Sequence, residues 1–165
     1  MKNISIITDG SCDIPVEVID KYDIKLIPLH FHFEDNIEYG SERMMDSEEF
    51  YRRLANGEIA KTSASSPSSA MDLLKAELDK GNDVICVALS SSLSCTFNNI
   101  RLACLELLDS YPDQRITVID SLSASMAMGM MVIKACMMRD EKYSYDQIVE
   151  YLDETKHAYH VEFYV

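Results

Sequence analysis

Short apolar segments with strand character alternate along this chain with segments of helical periodicity, and few folds accommodate that alternation. Strands are predicted over residues 4–8, 24–33, 83–89, 115–120 and 160–165. The segment VICV at 84–87 is apolar at every position, as expected of a strand that is covered on both faces. Strands separated by helices predict an α/β fold, with a mainly parallel sheet and helices on both faces.

The predicted helices carry clear terminal signals. Ser66 stands before Pro67, and both residue types favour the start of a helix. Ser144 and Gln147 have the spacing of a capping box for the last helix. A helix over 122–138 contains six of the ten methionines and is apolar almost all round. It is interpreted as a fully buried helix or as an adaptable wall for a flexible apolar chain.

Length and composition exclude several classes of protein. The 165 residues fit one domain, residues 1–165, which can bury a core without disulfides or a structural metal. Asp and Glu number 28 against 15 Lys and Arg, giving a formal net charge of −13. This excess argues against nucleic acid and against an anionic membrane surface as partners, since both attract clustered cations. No apolar run is long enough for an integral membrane segment.

The cysteines and the first residues indicate the compartment. Five cysteines are an odd number, and no two of them form a C-x-x-C pair. Residues 1–8 resemble a strand and lack the basic start and long apolar run of a signal peptide. Reduced thiols and a cytoplasmic location are therefore expected.

Hydroxyl residues cluster after the predicted strands. The motifs G-x-G-x-x-G, G-x-x-x-x-G-K-[ST] and G-x-S-x-G are absent from the sequence. Ser and Thr are instead concentrated at 8–11, 61–66, 90–96 and 120–123. Because ligands bind where the carboxyl ends of parallel strands meet, these clusters are expected to converge there beside helix N-termini. A single serine at such a position commonly caps a helix, but four clusters together predict a site for a small anion.

Four segments resemble, in order and spacing, the motifs of the DegV family: TDGSCDIP at 8–15, KTSASSPSS at 61–69, SSSLSCTF at 90–97 and VIDSLSASMAMG at 118–129. The resemblance implies a bacterial lipid-binding protein that holds a long-chain fatty acid, such as palmitate, by its carboxylate. It further implies a partner, the catalytic subunit of a fatty acid kinase, which phosphorylates the presented carboxylate. On this interpretation the chain is a binding protein without catalysis of its own, cofactor or metal.

The same resemblance assigns roles to residues. The carboxylate ligands of the family fall on Thr62 and Ser94. Secondary pocket residues are expected among the neighbouring hydroxyls, namely Ser63, Ser91, Ser92, Thr96 and Ser121. Cys95 stands where the family has glycine, and Ala64 where it prefers glutamine. The family also has a second lobe that covers the acyl tail, so this chain is expected to be the amino-terminal lobe alone.

Two enzymatic alternatives compete with a binding protein. Cys95 and Arg101 have the C-x5-R spacing of a phosphatase loop, but on a helix they would point about 120° apart. A loop serine could act as the nucleophile of a hydrolase, yet the four histidines lie away from the serine clusters in sequence. His30, His32 and Glu34 alternate along one strand face, but no further ligands at helical spacing complete a metal site.

Overall fold

A computed structural model describes residues 2–35, 37–40 and 45–162 of the chain. Its strands are β1 Ile4–Asp9, β2 Lys25–Ile27, β3 His30–His32, β4 Glu38–Tyr39, β5 Lys61–Ser63, β6 Asp83–Ala88 and β7 Ile116–Asp120. Its helices are α1 Val16–Tyr22, α2 Ser47–Ala55, α3 Pro67–Leu78, α4 Thr96–Leu108, α5 Ser125–Asp140 and α6 Tyr145–Thr155, followed by a short 3₁₀ turn, Lys156–Ala158.

Four strands form the central sheet. Their order is β2-β1-β6-β7 and every pairing is parallel, which confirms the predicted α/β class. β6 is buried at all six positions, because it lies between two strands and beneath helices on both faces. Alternate residues of β1 point to opposite faces, so that Ile6 and Ile7 enter different apolar clusters.

Helices cover both faces of this sheet, as predicted. Ile6, Ile85 and Ile119 pack on one face against residues of α1, α5 and α6. Ile7 and Cys86 pack on the other face against α3 and α4. The hydroxyl clusters that follow β1, β6 and β7 therefore lie at the end of a two-sided, fully packed core.

The predicted long strand over 24–33 is wrong in one respect, since it forms two strands that belong to different sheets. β2 pairs with β1, whereas β3 lies in a small antiparallel sheet of order β4-β3-β5. Pro28 stands between them, and a proline has no N–H with which to continue a ladder of hydrogen bonds. This break creates the second sheet, and β5 in that sheet carries Thr62.

Aromatic packing holds the small sheet against α2. The Phe31 ring centroid lies 5.3 Å from that of Tyr39 and 5.1 Å from that of Phe50 on α2. The Arg53 guanidinium lies 3.9 Å from the centroid of the Phe33 ring and pairs with Asp35 and Glu58. The small sheet thus has its own core, separate from the two clusters of the parallel sheet.

The predicted strand over 160–165 is wrong for residues 160–162, which have no regular structure, and residues 163–165 lie outside the described residues. The reason lies in the direction of α6. This helix begins at the amino edge of the sheet, where Asp146 pairs with Arg115 just before β7. It then runs back to the carboxyl edge of the sheet. A strand that started at this edge would run opposite to the other strands, so it could not join the sheet as a parallel strand.

The predicted methionine-rich helix is α5. Its interpretation as a fully buried helix is wrong, because one side of it is exposed to solvent. Met128 and Met131 are fully buried against the sheet, whereas Met126, Met130 and Met137 are exposed. Among the described residues, no helix is long and apolar enough to cross a membrane.

Candidate functional site

The carboxyl edge of the parallel sheet brings three of the predicted clusters together. β1, β6 and β7 end at Asp9, Ala88 and Asp120, and each is followed by hydroxyl residues. Helices α1, α3, α4 and α5 all begin at this edge, since they run antiparallel to the strands that they cover. First-turn N–H groups of these helices lack intrahelical acceptors, so the edge offers several hydrogen-bond donors.

Two aspartates hold the loop that follows β6, residues 89–95, which we call the post-β6 loop. Asp9 is fully buried, and its Oδ2 accepts a hydrogen bond from the Leu89 N–H at 2.7 Å. Asp120 Oδ1 accepts from the Ser91 N–H at 3.1 Å and from the Leu122 N–H at 3.2 Å. The loop is therefore fixed from the strands on both sides of β6.

The N–H groups of four further residues of the post-β6 loop, Ser90, Ser92, Leu93 and Ser94, are also used within the protein. The Ser90 N–H donates to the carbonyl oxygen of Ser123 at 3.0 Å. The N–H groups of Leu93 and Ser94 donate to the carbonyl oxygen of Ser90, and that of Ser92 donates to the Ser90 hydroxyl. Because the N–H groups of residues 89–94 are engaged, the donors left for a ligand at this loop are its hydroxyls and the N–H groups at the start of α4.

Ser94 lies at the predicted transition from strand to helix, one residue before the N-cap of α4. Its hydroxyl accepts from the Thr96 N–H at 3.2 Å and lies 2.9 Å from the Thr96 hydroxyl. Ser94 is half-buried and its hydroxyl bonds to the first residue of α4, although the N-cap itself is Cys95, which makes no side-chain capping bond. A hydroxyl that accepts one such bond still has a proton to donate.

Thr62 is placed by the small sheet and not by the parallel one. It lies on β5 opposite Phe31 of β3, and its side chain is exposed. Ser63, on the other face of β5, lies opposite His30 and donates its hydroxyl proton to the His30 carbonyl oxygen at 3.4 Å. The segment that carries Thr62 continues directly into α3, whose N-cap is Ser66.

A side-chain bond joins the segment 61–66 to α4. Asn99 Nδ2 donates to the carbonyl oxygen of Ser65 at 2.9 Å, while α3 and α4 pack side by side on the same face of the sheet. Neither α3 nor α4 has an acidic residue in its first turn. Thr62 and Ser94 precede α3 and α4, respectively, and we call the region where these two helices begin the α3–α4 corner.

The other predicted pocket residues divide into two groups. Ser63, Ser91 and Ser92 are exposed. Thr96 and Ser121 are fully buried, and the Ser121 hydroxyl donates to the Ser123 carbonyl oxygen at 3.0 Å. The exposed residues are accessible to a ligand, whereas the two buried hydroxyls primarily shape the loops.

The cysteines of the chain differ sharply in environment. Cys95 is exposed at the N-cap of α4, with a φ of −71° that any residue adopts, so no glycine is required there. Residues 96–100 between Cys95 and Arg101 are helical, and a helix cannot wrap around a phosphate as a phosphatase loop does. Burial raises the pKa of Cys86, and raises that of Cys104 and of Cys136 to about 12.

One histidine, His30, lies closer to a serine cluster than its sequence position indicates. His30 and Ser63 are 33 residues apart in sequence, yet β3 and β5 place them directly opposite each other. His30 Nδ1 lies 3.9 Å from a Glu38 carboxylate oxygen. However, the Ser63 hydroxyl bonds to the His30 backbone and not to its ring. Within the described parts of the chain, no three His, Cys, Asp or Glu side chains are grouped to hold a metal ion.

A cleft at the opposite, amino edge is lined by charged side chains of both signs, namely Lys2, Lys21, Arg139 and Lys142 together with Asp23, Glu77 and Asp140. Its volume is about 490 Å³, and residues from the ends of α1 and α5, including Tyr22 and Arg139, line it. Helices α1, α3, α4 and α5 end at this edge, where their C-terminal carbonyls carry partial negative charge, whereas α6 begins here. The N-termini of these four helices, which carry partial positive charge, lie at the carboxyl edge.

The geometry defines a doubly wound α/β domain with a hydroxyl-lined carboxyl edge. Residues 3–165 match the family model described as "Uncharacterised protein, DegV family", so the chain belongs to the DegV family and the resemblance is confirmed. A DegV domain-containing protein of Clostridium acetobutylicum is 31% identical over 163 residues, which are 94% of this chain and 54% of that protein. The chain thus spans about half the length of the curated relatives it matches.

Solved structures of the family share this fold. A DegV lipid-binding protein from Thermotoga maritima is 30% identical, with a TM-score of 0.81 over 96% of this chain and 55% of its own. DegV from Bacillus subtilis, described as a fatty acid binding protein, is 28% identical, with a TM-score of 0.82 over 95% of this chain and 55% of its own. A stearic acid-binding protein from Eubacterium ventriosum is 26% identical, with a TM-score of 0.83 over 93% and 52%.

Proposed function

We propose that this chain binds the carboxylate of a long-chain fatty acid at the α3–α4 corner, through the hydroxyls of Thr62 and Ser94. The observation that carries the proposal is the Asn99–Ser65 hydrogen bond, which holds the segment of Thr62 against the helix that follows Ser94. The two helices that begin at this corner have no acidic residue in their first turns.

Electrostatics favour this corner over the rest of the carboxyl edge. Asp13 accepts from the Ser125 hydroxyl at the start of α5, and α1 carries Glu17 in its first turn. Acids thus lie at the starts of those two helices, whereas the first turns of α3 and α4 carry none. The two acids that hold the post-β6 loop, Asp9 and Asp120, accept hydrogen bonds from N–H groups of that loop. Hydrogen bonds from N–H groups and hydroxyls to a charged group each contribute about 1.5–3 kcal/mol, and no buried cation is needed.

The relatives support a fatty acid as the ligand class. The proteins from Bacillus subtilis and Eubacterium ventriosum are described as binding a fatty acid and stearic acid, respectively. An anionic head with a long apolar tail also fits the exposed apolar side chains at the carboxyl edge of this chain. Leu93 is 51% exposed beside Ser94, and Leu122 is 42% exposed at the loop before α5.

The tail is proposed to run from the α3–α4 corner along apolar side chains and then beneath further protein. Ser63, Ser91 and Ser92 would line the polar end of the path. The relatives are almost twice as long as this chain, so a second lobe such as theirs would supply the remaining cover. We expect palmitate to bind this chain more weakly than it binds a two-lobed version.

The biochemical role is proposed to be that of a carrier in the bacterial cytoplasm. A carboxylate held at the mouth of the α3–α4 corner would remain open to a separate fatty acid kinase subunit, which would phosphorylate it. On this proposal the chain supplies hydrogen bonds and shape, and the partner supplies catalysis.

The test is calorimetric titration with palmitate of wild type, Thr62→Ala, Ser94→Ala and the double variant. Each single change should weaken binding about ten- to a hundredfold, at about 1.4 kcal/mol per tenfold. The double change should not be additive, since both hydroxyls address one carboxylate. Ser110→Ala, an exposed hydroxyl in the turn after α4, is the matched control and should bind as wild type does. Unchanged affinity in a double variant that is folded by circular dichroism would remove the site.

A further inference from the structure

We propose that Asn99 is the positioning residue that couples the two halves of the fatty-acid site, an inference that rests on the proposed function. Asn99 lies in α4, where its own N–H donates to the Cys95 carbonyl oxygen at 2.9 Å. Its side-chain Nδ2 donates to the Ser65 carbonyl oxygen, also at 2.9 Å. One amide side chain therefore spans from the helix of Ser94 to the segment of Thr62.

Apart from the Asn99 bond, the segment of Thr62 is held by its pairing with β3 and by the Ser65 hydroxyl, which donates to the Pro28 carbonyl oxygen at 3.0 Å. β5 has three residues, all exposed, and it pairs with β3 alone. The small sheet shares no strand with the parallel sheet, which carries the post-β6 loop. Within the described residues, the Asn99 bond is the one hydrogen bond that joins the segment 61–66 to the post-β6 loop or α4.

Ser94 does not need this tie. It is connected to α4 by its own bond with the Thr96 N–H, and the two aspartates hold the post-β6 loop from both sides. Loss of the Asn99 side chain should therefore displace Thr62 and leave Ser94 in place. This asymmetry distinguishes a positioning residue from a residue that merely stabilises the fold.

The chemistry of the bond requires an amide donor. An aspartate at position 99 has the same size but accepts only, so it cannot donate to the Ser65 carbonyl oxygen. Asn99→Asp should consequently lose at least as much affinity as Asn99→Ala. A charge at the start of α4 would also oppose the ligand carboxylate, so the alanine variant is the cleaner test of position.

The experiment measures palmitate affinity for Asn99→Ala in three backgrounds: wild type, Thr62→Ala and Ser94→Ala. We expect a loss of about five- to twentyfold in wild type, corresponding to a hydrogen bond of typical strength. In the Ser94→Ala background, Asn99→Ala should cause the same loss of affinity as in wild type. In the Thr62→Ala background the loss should be less than about twofold, because the Thr62 hydroxyl that Asn99 positions is already absent. Asn3→Ala, an exposed asparagine at the opposite edge, is the control for truncation of this residue type.

A second measurement needs no ligand. Amide hydrogen exchange of β5 in the free protein should become faster in Asn99→Ala, while exchange in the post-β6 loop should stay as in wild type. An equal loss of affinity in all three backgrounds, no loss at all, or unchanged exchange of β5 would overturn the inference. If instead Thr62→Ala and Ser94→Ala themselves leave palmitate binding intact, the proposed function fails, which is a separate result.

Discussion

The hydroxyl of Tyr145 donates a hydrogen bond to the carbonyl oxygen of Val84, 3.0 Å away, at the amino edge of the parallel sheet. The same hydroxyl lies 2.6 Å from the Thr117 hydroxyl. Tyr145 thereby attaches the first turn of α6 to the starts of β6 and β7. With its first turn held there, α6 runs back towards the carboxyl edge, on the face of the sheet opposite α3 and α4.

Tyr145→Phe should change stability in a direction that depends on pH. Burial raises the pKa of Tyr145 to about 12 from its ordinary value of 10. A raised pKa in the folded state contributes stability below pH 10 that is lost as the pH rises towards 12. At neutral pH the variant should be less stable by about 1 kcal/mol, the value of one hydrogen bond. At about pH 11 the two free energies of unfolding should cross, since each pH unit removes about 1.4 kcal/mol.

Urea denaturation at pH 7, 9 and 11 measures this difference. The buried cysteines ionise in both proteins, so their effect cancels in the comparison. A constant difference between the two proteins across this range would mean that the Tyr145 hydroxyl ionises as readily in the folded state as in the unfolded one.

Gly129→Ala should destabilise the protein, although alanine usually stabilises a helix relative to glycine by about 1 kcal/mol. A Cβ at this position of α5 would lie 2.5 Å from the Cys12 carbonyl oxygen and 3.0 Å from Ile14 Cγ1. The loop after β1 would have to move, at a cost of about 1–3 kcal/mol. Gly10→Ala, whose Cβ would meet nothing closer than 3.6 Å, is the matched control. Similar urea midpoints for the two variants would refute the close approach.

Cys95 should be the reactive thiol of the folded protein. It is exposed, whereas Cys12, Cys86, Cys104 and Cys136 are buried and have raised pKa values. Iodoacetamide at pH 8 should therefore add one label to the native protein, mapped by mass spectrometry to Cys95. Rapid labelling at a second cysteine without denaturant would contradict the packing of the core.

A substitution of Cys95 distinguishes the proposed fatty-acid carrier from the alternative, a phosphatase. Cys95→Ser should bind palmitate within about twofold of wild type, because the thiol has no role in the proposed site and no hydrogen bond is lost. Wild type should not turn over p-nitrophenyl phosphate. Turnover that disappears in Cys95→Ser would establish the phosphatase instead.

Asp120→Ala should weaken palmitate binding about three- to tenfold, because the N–H groups of Ser91 and Leu122 lose their acceptor and the post-β6 loop loosens. Asp120→Asn keeps an oxygen acceptor and should bind nearly as wild type does. Calorimetric titration of both variants with palmitate separates the contribution of the Asp120 charge from that of its hydrogen bonds. If the asparagine variant were as weak as the alanine variant, the charge of Asp120 and not its hydrogen bonding would hold the loop.

The local signals of the sequence predicted much of the fold. Ser66 and Pro67 start α3, and Ser144 and Gln147 form the capping box of α6, because caps depend on residues within one turn. The fully apolar segment 84–87 lies in the central strand, since only a strand covered on both faces can bury every side chain. The split of 24–33 was missed, although Pro28 was its visible signal.

The contacts that assemble the candidate site have no such local signal. Asn99 and Ser65 are 34 residues apart, and Asp9 and Leu89 are 80 apart. Hydroxyl clusters after strands indicated a shared edge, but not which hydroxyls remain accessible. Ser121 is buried and Ser91 is exposed because of the way in which the loops pack against each other.

By itself, the sequence determined the α/β class, the helix ends, the central strand and the family, because each depends on residue types in short, ordered segments. Only the tertiary structure decided that Thr62 lies on a separate antiparallel sheet, that His30 faces Ser63 and that α6 returns the chain to the carboxyl edge. The physical reason is that side-chain periodicity reports burial along one element. The pairing of distant elements depends on hydrogen bonds and packing that form only when the whole chain closes on itself.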